Sequence, residues 1–287
     1  KFFVPEAAPG ARFLVLTGEN AAHAKVLRLK AGECVTVCDA KGTDFQCTVS
    51  DVAPGQISLV VQCEEPSRAE PAVFCSVYMA FAKAEKLEHV IQKATELGAG
   101  EIVAFPSSRC VAKPDDKALS KKLERWQKIA ASAAEQSGRG RIPQVRALGS
   151  FREAVLEASG CDLALFPYEN EKTLSLRDCL NTGGYRSVSI MTGPEGGFSE
   201  EEVALAAENN MKICSLGPRI LRCETAPLCA LTAVLYASGA LDRSADEKTE
   251  LAQYEWIKVY GVLFGCEEKM DKMFEEAVDE AGVQENQ

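Results

Sequence analysis

Histidine is nearly absent: only His23 and His89 occur among 287 residues. A Ser-His-Asp relay or a histidine-built metal site therefore has almost nothing to work with. Twelve cysteines are present, yet none form a C-x-x-C pair, so no zinc-ligand spacing is recognisable and no metal is expected. Most cysteines sit in apolar stretches, as Cys75 does in Val73-Phe74-Cys75-Ser76-Val77. They read as small core residues in a reducing compartment. No apolar run approaches the ~20 residues that span a bilayer. The start, Lys1-Phe2-Phe3-Val4-Pro5, has no long apolar region before a small-residue cleavage site. A cytoplasmic protein without membrane association is expected. G-x-G-x-x-G and G-x-x-x-x-G-K-[ST] are both missing, which removes the Rossmann and P-loop readings. Positive charge is also short: 32 Lys+Arg against 42 Asp+Glu give a net of −10. Taken over the whole chain, that argues against a nucleic-acid partner, because phosphate binding wants a basic surface.

The charge is unevenly distributed, however. Residues 242–287 hold 13 acidic and 5 basic residues, a net of −8. Residues 1–241 carry a net of only −2, and within them residues 83–146 hold 13 basic and 8 acidic residues, a net of +5. The acid is thus a tail, and the middle of the chain is basic. A basic block can be a solvated helix face or a phosphate grip, and charge alone does not choose.

Hydrophobic residues make up 46% and charged residues 26%, an ordinary globular composition with enough chain for about two domains. Residues 12–63 read as short strands, with β-branched runs at residues 34–38 and 57–61. Turn signals lie at Ala31-Gly32, Lys41-Gly42-Thr43-Asp44 and Ala53-Pro54-Gly55, and this spacing suggests a small barrel. A polar, Pro-flanked connector at residues 64–71 reads as a domain boundary. Beyond it, strands at 73–79, 101–106, 162–167, 187–192 and 213–216 alternate with helices at 85–97, 117–137, 199–210 and 225–240. Such alternation implies an α/β domain with a mostly parallel sheet. The helix at 225–240 is apolar nearly all round, so it is expected to be buried, plausibly against a second subunit. Residues 267–281 have helical spacing in an otherwise acidic segment, which reads as a docking appendage or a tail.

Four stretches carry chemistry. Thr192-Gly193-Pro194-Glu195-Gly196-Gly197-Phe198-Ser199 is a Gly-rich strand-to-helix loop, followed by a capping box of Ser199 and Glu202. It is either a tight turn or a place where backbone meets ligand at the carboxyl end of a parallel strand. Glu195 would repel a phosphate, so a cationic or neutral nucleoside fits better, and S-adenosylmethionine is one. Leu216-Gly217-Pro218-Arg219-Ile220-Leu221-Arg222-Cys223-Glu224-Thr225-Ala226 is a second such loop, with an apolar clamp and opposite charges at Arg222 and Glu224. That pair reads equally as a structural salt bridge. Glu135-Gln136-Ser137-Gly138-Arg139-Gly140-Arg141 ends a basic helix with arginines on glycines, suited to phosphates or to a solvated loop. Lys83 through Leu97-Gly98 to Arg109 places cations past two strand ends.

Together these stretches resemble the RsmE family of 16S rRNA (uracil-N3)-methyltransferases in the SPOUT superfamily. The resemblance rests on six motifs in order: His23 with Val26-Leu27-Arg28, Gln92-Lys93-Ala94-Thr95-Glu96-Leu97-Gly98, Ser107-Ser108-Arg109, Glu135-Gln136-Ser137 with Arg139, Gly193-Pro194-Glu195-Gly196-Gly197-Phe198, and Leu216-Gly217 with Ile220-Leu221-Arg222 and Glu224-Thr225-Ala226. It covers residues 1–241. Cys223 departs from the family's frequent Thr, and residues 242–287 have no counterpart.

The resemblance implies a PUA-like β-barrel RNA-binding domain at 1–70, a SPOUT methyltransferase domain with a deep C-terminal trefoil knot at 71–241, and an acidic extension of unknown role at 242–287. It implies that S-adenosylmethionine binds Phe166, Pro167, Tyr168 and Glu169; Thr192, Gly193, Pro194, Glu195, Gly196 and Gly197; and Leu216, Gly217, Ile220 and Leu221. It implies a homodimer acting on 16S rRNA or the small ribosomal subunit, at the uracil conventionally numbered 1498. Arg109 and Arg222 are the expected catalytic cations, and Glu195 or Glu224 would orient the base or take its proton. Arg28, Lys93, Gln136, Arg139 and Arg141 are expected to grip RNA. His89 is expected to be exposed, and His23 to be structural or RNA-contacting. A non-enzymatic RNA-binding scaffold, and a ribose 2′-O or tRNA methyltransferase on the same fold, are the competing readings.

Overall fold

Long runs of β-branched and apolar residues without alternation belong in strands covered on both faces, and the second half of the chain is built that way. The computed structural model describes residues 1–111, 114–241 and 267–281. Its parallel sheet runs β11-β9-β10-β6-β7-β8. The strands are β6 (Phe74–Ala80), β7 (Glu101–Phe105), β8 (Gln144–Ala147), β9 (Leu163–Pro167), β10 (Ser187–Thr192) and β11 (Lys212–Cys214). Every residue of β9, and all but the first residue of β6 and of β10, is buried. In chain order the sheet grows outward from β6 to β8, and the chain then crosses to lay β9 on the other side. β10 then enters the gap, pairing with β6 over Ser187–Thr192 and with β9, and β11 follows at the edge beside β9. The carboxyl ends of β9, β10 and β11 therefore lie side by side.

Helices cover this sheet. In α2 (Ala84–Leu97) the spacing buries Leu87, Val90, Ile91 and Ala94. Each larger member contributes about 1.5–3 kcal/mol of burial. The helix stops at Gly98, whose φ of +117° is left-handed. A Cβ there would lie 2.7 Å from Pro71 Cγ, so only glycine closes this end. In α3 (Asp116–Gln136), Asp115 caps the start through the Ala118 amide, and Trp126, Ala130, Ala133 and Ala134 face inward. Leu119, Leu123 and Ile129, at the same helical spacing, are only half-buried. Helices α4 (Phe151–Ala158), α5 (Leu176–Leu180) and α6 (Glu200–Glu208) complete the alternation. In α7 (Thr225–Ala237) Pro227, Ala230, Leu231, Val234 and Leu235 are buried, but Thr225, Cys229, Thr232 and Tyr236 form an open stripe. The helix expected to be buried all round is thus covered on one side within this chain.

The N-terminal residues form a five-stranded, mainly antiparallel sheet, β1-β3-β4-β5-β2. Its strands are β1 (Phe2–Phe3), β2 (Phe13–Thr17), β3 (Cys34–Cys38), β4 (Thr43–Ala53) and β5 (Gln56–Pro66). Phe2 from one edge strand shares a core with Leu14 and Leu16 from the other, and with Val37, Phe45 and Leu59 between them. The sheet therefore curls around that core, as the barrel reading anticipated. Pro54-Gly55 makes the two-residue turn from β4 to β5, with Gly55 at φ +77°. Two features differ from expectation. A helix, α1 (Gly18–Val26), follows β2, and it buries only Ala21 and Ala24, too little apolar mass to register as a period. β5 also continues to Pro66, paired with Thr43, so strand occupies the first part of the connector read at 64–71.

Both sheets belong to one compact unit, Lys1–Ser238. A polar seam joins them. Lys1 Nζ donates to Asp44 at 2.7 Å and to the Gly138 carbonyl at 3.0 Å, and His23 Nδ1 lies 3.0 Å from Glu135 Oε1. His89 is exposed, as expected. Residues 239–287 form a separate unit, in which α8 (Glu267–Ala281) matches the helical spacing read there. The rest of that extension lies outside the described residues. Among the described cysteines, five are buried and Cys110, Cys161 and Cys223 are half-buried, but Cys34, Cys63 and Cys229 are exposed. The core-residue reading therefore does not extend to those three. Among the described residues, no helix is long and apolar enough to cross a membrane.

Candidate active site

A cavity of about 370 Å³ opens where the loops after β9, β10 and β11 converge. This is the carboxyl edge of a parallel sheet, where ligands bind in open α/β folds. Pro167, Tyr168 and Glu169 supply one wall, and Thr192, Gly193, Pro194, Glu195, Gly197 and Phe198 a second. The stretch from Ser215 to Cys223 supplies the third, with Ala226 of α7 and Lys86 of α2 closing it.

The Gly-rich loop owes its shape to contacts on both sides. Phe198 is buried at its end, with its ring centroid 4.3 Å from that of Phe166 and 5.7 Å from that of Phe151. This aromatic cluster pins the loop to the core. Ser199 then caps α6: its hydroxyl accepts from the Glu202 amide at 3.3 Å, and Glu202 accepts from the Ser199 amide at 2.9 Å. The other Glu202 oxygen accepts from the Ser108 amide at 2.7 Å, which ties the loop after β7 to the same corner. Gly197 sits at φ +65°, and a Cβ there would fall 2.6 Å from Glu169 Oε1. Gly196 lies against Arg109, whose Nη1 donates to its carbonyl at 3.1 Å. Gly197 is thus favoured by its positive φ, and Gly196 leaves room for the close approach of Arg109.

One cation joins two of the walls. Lys86 Nζ lies 3.4 Å from Glu195 Oε1 and 3.4 Å from Glu224 Oε2. It also lies 3.7 Å from Cys223 Sγ, and that thiol donates to Glu224 at 3.2 Å. Partial desolvation works against the lysine's charge, but Cys223, Glu195 and Glu224 outweigh it and hold its pKa above the usual lysine value. Desolvation likewise opposes ionisation of Glu195. Its own amide, the Lys83 amide and Lys86 overcome that and pull its pKa down. Glu224 is also held low, first by its own amide and then, against some desolvation, by Cys223 and Lys86. Burial and the neighbouring carboxylates push the Cys223 thiol up to about 11. At neutral pH the group is one ammonium between two carboxylates, with a neutral thiol beside them.

The sequence-predicted residues separate into three groups. Pro167, Tyr168, Glu169, Thr192, Gly193, Pro194, Glu195, Gly197, Leu216, Gly217, Ile220, Leu221 and Arg222 line the cavity together. Ile220 is 87% exposed at its rim. Gly196, Arg109 and Glu224 stand at its margin, held by the contacts above. Phe166 does not reach it: the ring is fully buried under the Gly-rich loop, so its role is to anchor the loop rather than to touch a ligand. The ion partner of Glu224 is Lys86, which replaces the Arg222–Glu224 salt bridge considered from sequence. Pro218 and Arg219, inside the third loop, line the cavity too, and Lys86, Phe198, Ser215, Cys223 and Ala226 were missed as lining residues. Lys86 had a signal, one more cation in the first turn of α2, but its partners stand more than a hundred positions away.

The residues expected to grip RNA also divide. Arg28, Gln136 and Arg141 are exposed, and Lys93 is half-buried with Glu96 at 2.8 Å. Arg139 is 3% exposed. Its Nη1 donates to the carbonyls of Thr95 at 3.1 Å and Ala99 at 2.5 Å, and its Nε and Nη2 grip Glu70 at 3.2 and 2.6 Å. A guanidinium so enclosed holds the protein together, so the expectation of a phosphate contact gives way to a structural tie.

Comparison with known proteins decides the family. Residues 69–235 match the family described as RNA methyltransferase domain, and residues 16–62 match the RNA methyltransferase PUA domain. The ribosomal RNA small subunit methyltransferase E of Bacillus subtilis is 38% identical over 237 residues, covering 79% of this chain and 91% of its own. The chain belongs to the ribosomal RNA small subunit methyltransferase E family. Its Mycobacterium tuberculosis member is 31% identical over 251 residues, covering 86% of this chain and 95% of its own. A crystal structure of the Neisseria gonorrhoeae member bound to S-adenosyl methionine superposes with a TM-score of 0.73 at 30% identity. It covers 82% of this chain and 96% of that one.

Proposed function

We propose that this protein methylates N3 of a uracil in 16S rRNA, the position conventionally numbered 1498, with S-adenosylmethionine as donor. S-adenosylmethionine-dependent rRNA methylation follows from membership of the methyltransferase E family. The observation that carries the donor assignment onto these residues is the cavity itself. It is large enough for a nucleoside, its glycines admit close backbone approach, and its ionisable wall groups include the carboxylates Glu169 and Glu195. The two carboxylates offer partners to a sulfonium, beside the cations Lys86, Arg219 and Arg222. When bound, S-adenosylmethionine supplies an electrophilic methyl group.

The chain's own residues then have three tasks. The three loops fix the donor so that methyl and incoming nitrogen align, which supplies much of the acceleration. Arg222, exposed at the cavity, and Arg109, exposed behind Gly196, offer cations to O2 or O4 as charge develops on the uracil once N3 loses its proton. Glu195 and Glu224, held ionised by Lys86, are weak bases and orient the substrate, and the N3 proton leaves to solvent. N3 is normally paired or stacked, so the uracil is exposed before it reacts. Residues 1–70 act as a PUA-like RNA-binding barrel, with Arg28, Lys93, Gln136 and Arg141 placing rRNA backbone. Residues 71–241 form the SPOUT domain with its trefoil knot, and 242–287 an acidic extension. The open stripe of α7 pairs two copies into a homodimer, and the protein works in the cytoplasm.

Mass spectrometry of rRNA from a deletion strain tests the substrate. Loss of 3-methyluridine from 16S rRNA is expected, and loss of any other mark instead refutes the assignment. Arg222→Ala should abolish most turnover while donor binding, read by calorimetry, changes little. Unchanged turnover removes Arg222 from the mechanism.

A further inference from the structure

Three elements far apart in sequence meet at Lys86. Glu195 belongs to the loop after β10, Glu224 to the turn that opens α7, and Lys86 to the first turn of α2. The ammonium is 3.4 Å from each carboxylate. Its root is rigid, because the next residue, Leu87, is fully buried. Glu195 is also held from the backbone of the same element, by the Lys83 amide at 3.3 Å. Both carboxylates sit on or beside cavity walls that are otherwise separate loops. Without a cation between them they face each other as like charges and push those walls apart.

We propose that Lys86 is the positioning residue that clasps two walls of the methyl-donor site, so that donor affinity depends on its ammonium. The proposal rests on the reading of this cavity as the donor site. Lys86 acts through Glu195 and Glu224, and it need not touch the reacting atoms. Its side chain remains only 27% exposed between them. A hydrophobic residue of the same length keeps the stem and loses the clasp. An arginine keeps the charge and reaches both carboxylates with a broader head.

The experiment measures donor affinity by calorimetry and turnover at saturating S-adenosylmethionine on the full chain, for wild type, Lys86→Met, Lys86→Arg, Glu224→Gln and the Lys86→Met/Glu224→Gln double variant. Lys86→Met is expected to raise the donor Kd roughly tenfold, a coupling of ordinary size. Lys86→Arg should recover most of the affinity. Glu224→Gln removes one arm and leaves the cation, and should weaken binding roughly two- to fivefold. It therefore reads the clasp even if Lys86→Met does not fold. The double variant should fall well short of the product of the two single effects. An unchanged Kd in Lys86→Met, or a fall in kcat at unchanged Kd, overturns the proposal, and so do additive effects in the double variant. Failure of wild type to bind S-adenosylmethionine would instead refute the donor-site reading.

Discussion

Arg139→Ala separates a structural arginine from an RNA-binding one. The guanidinium is enclosed, bidentate on Glu70, and donates to the carbonyls of Thr95 and Ala99. Removing one partner of a buried pair costs about 3–5 kcal/mol, because the other charge is left without its counterion. Glu70 keeps the amides of Gly140 at 2.9 Å and Arg141 at 3.1 Å, which places the loss toward the lower end. At about 2–4 °C per kcal/mol for a unit of this size, Tm should fall by roughly 6–16 °C. Calorimetric melting reads that change. Filter binding of 16S rRNA fragments across salt concentrations, well below the transition, tests for a phosphate contact. Arg139→Ala should leave the salt slope as it is, whereas Arg141→Ala, at an exposed site, should reduce it by about one. Arg139→Lys should recover little stability, since an ammonium cannot reproduce the fork on Glu70. A Tm within about 2 °C of wild type, together with a salt slope reduced by one, would refute the structural assignment.

Two further perturbations follow from the same geometry. Gly197→Ala forces a Cβ onto φ +65° against Glu169, and Gly183→Ala forces one onto φ +60° with nothing within 4 Å. Both should cost about 1–2 kcal/mol of backbone strain, but only Gly197→Ala should also weaken S-adenosylmethionine binding, and equal affinities would show that the close approach is irrelevant. Glu171 accepts from the Thr173 hydroxyl and from the Thr173 and Leu174 amides, which hold its pKa down at about 2. Its contribution to stability is complete above the unfolded carboxyl value of 4.5 and is lost as pH falls toward 2. Glu171→Gln should therefore flatten the Tm-against-pH curve below pH 4.5, and an unaltered curve would refute the turn as its cause.

Much of the parallel sheet was legible because buried parallel strands are long apolar runs. The boundaries read for β10 coincide with those observed, and the capping box at Ser199 and Glu202 marked the start of α6. What escaped was short or small. β8 has four residues, α1 buries only alanines, and α4 is capped by Ser150 with Glu153 three residues on, a start signal that only eight helical residues follow. Phe166 was misassigned for a related reason. A strand-end aromatic beside a ligand loop and one beneath it look the same in sequence, and only its 4.3 Å contact with Phe198 distinguishes them.

The site was legible as motifs and illegible as a network. Each Gly-rich loop announces its own turn, because glycine at positive φ is a local requirement. Nothing local announces that Lys86 stands within 3.7 Å of Cys223, a residue 137 positions later. That proximity is set by topology: β10 is inserted between β6 and β9 after both sides of the sheet exist, bringing Glu195 back over the start of α2. The whole-chain charge misled in the same way. A net of −10 averages an acidic extension with a basic middle, whereas binding responds to charges within about a Debye length of roughly 8–10 Å. Arg139 shows the limit of that correction too. It counts as +1 in the basic block, yet Glu70 neutralises it in the interior, so the field available to RNA is set by the exposed cations alone.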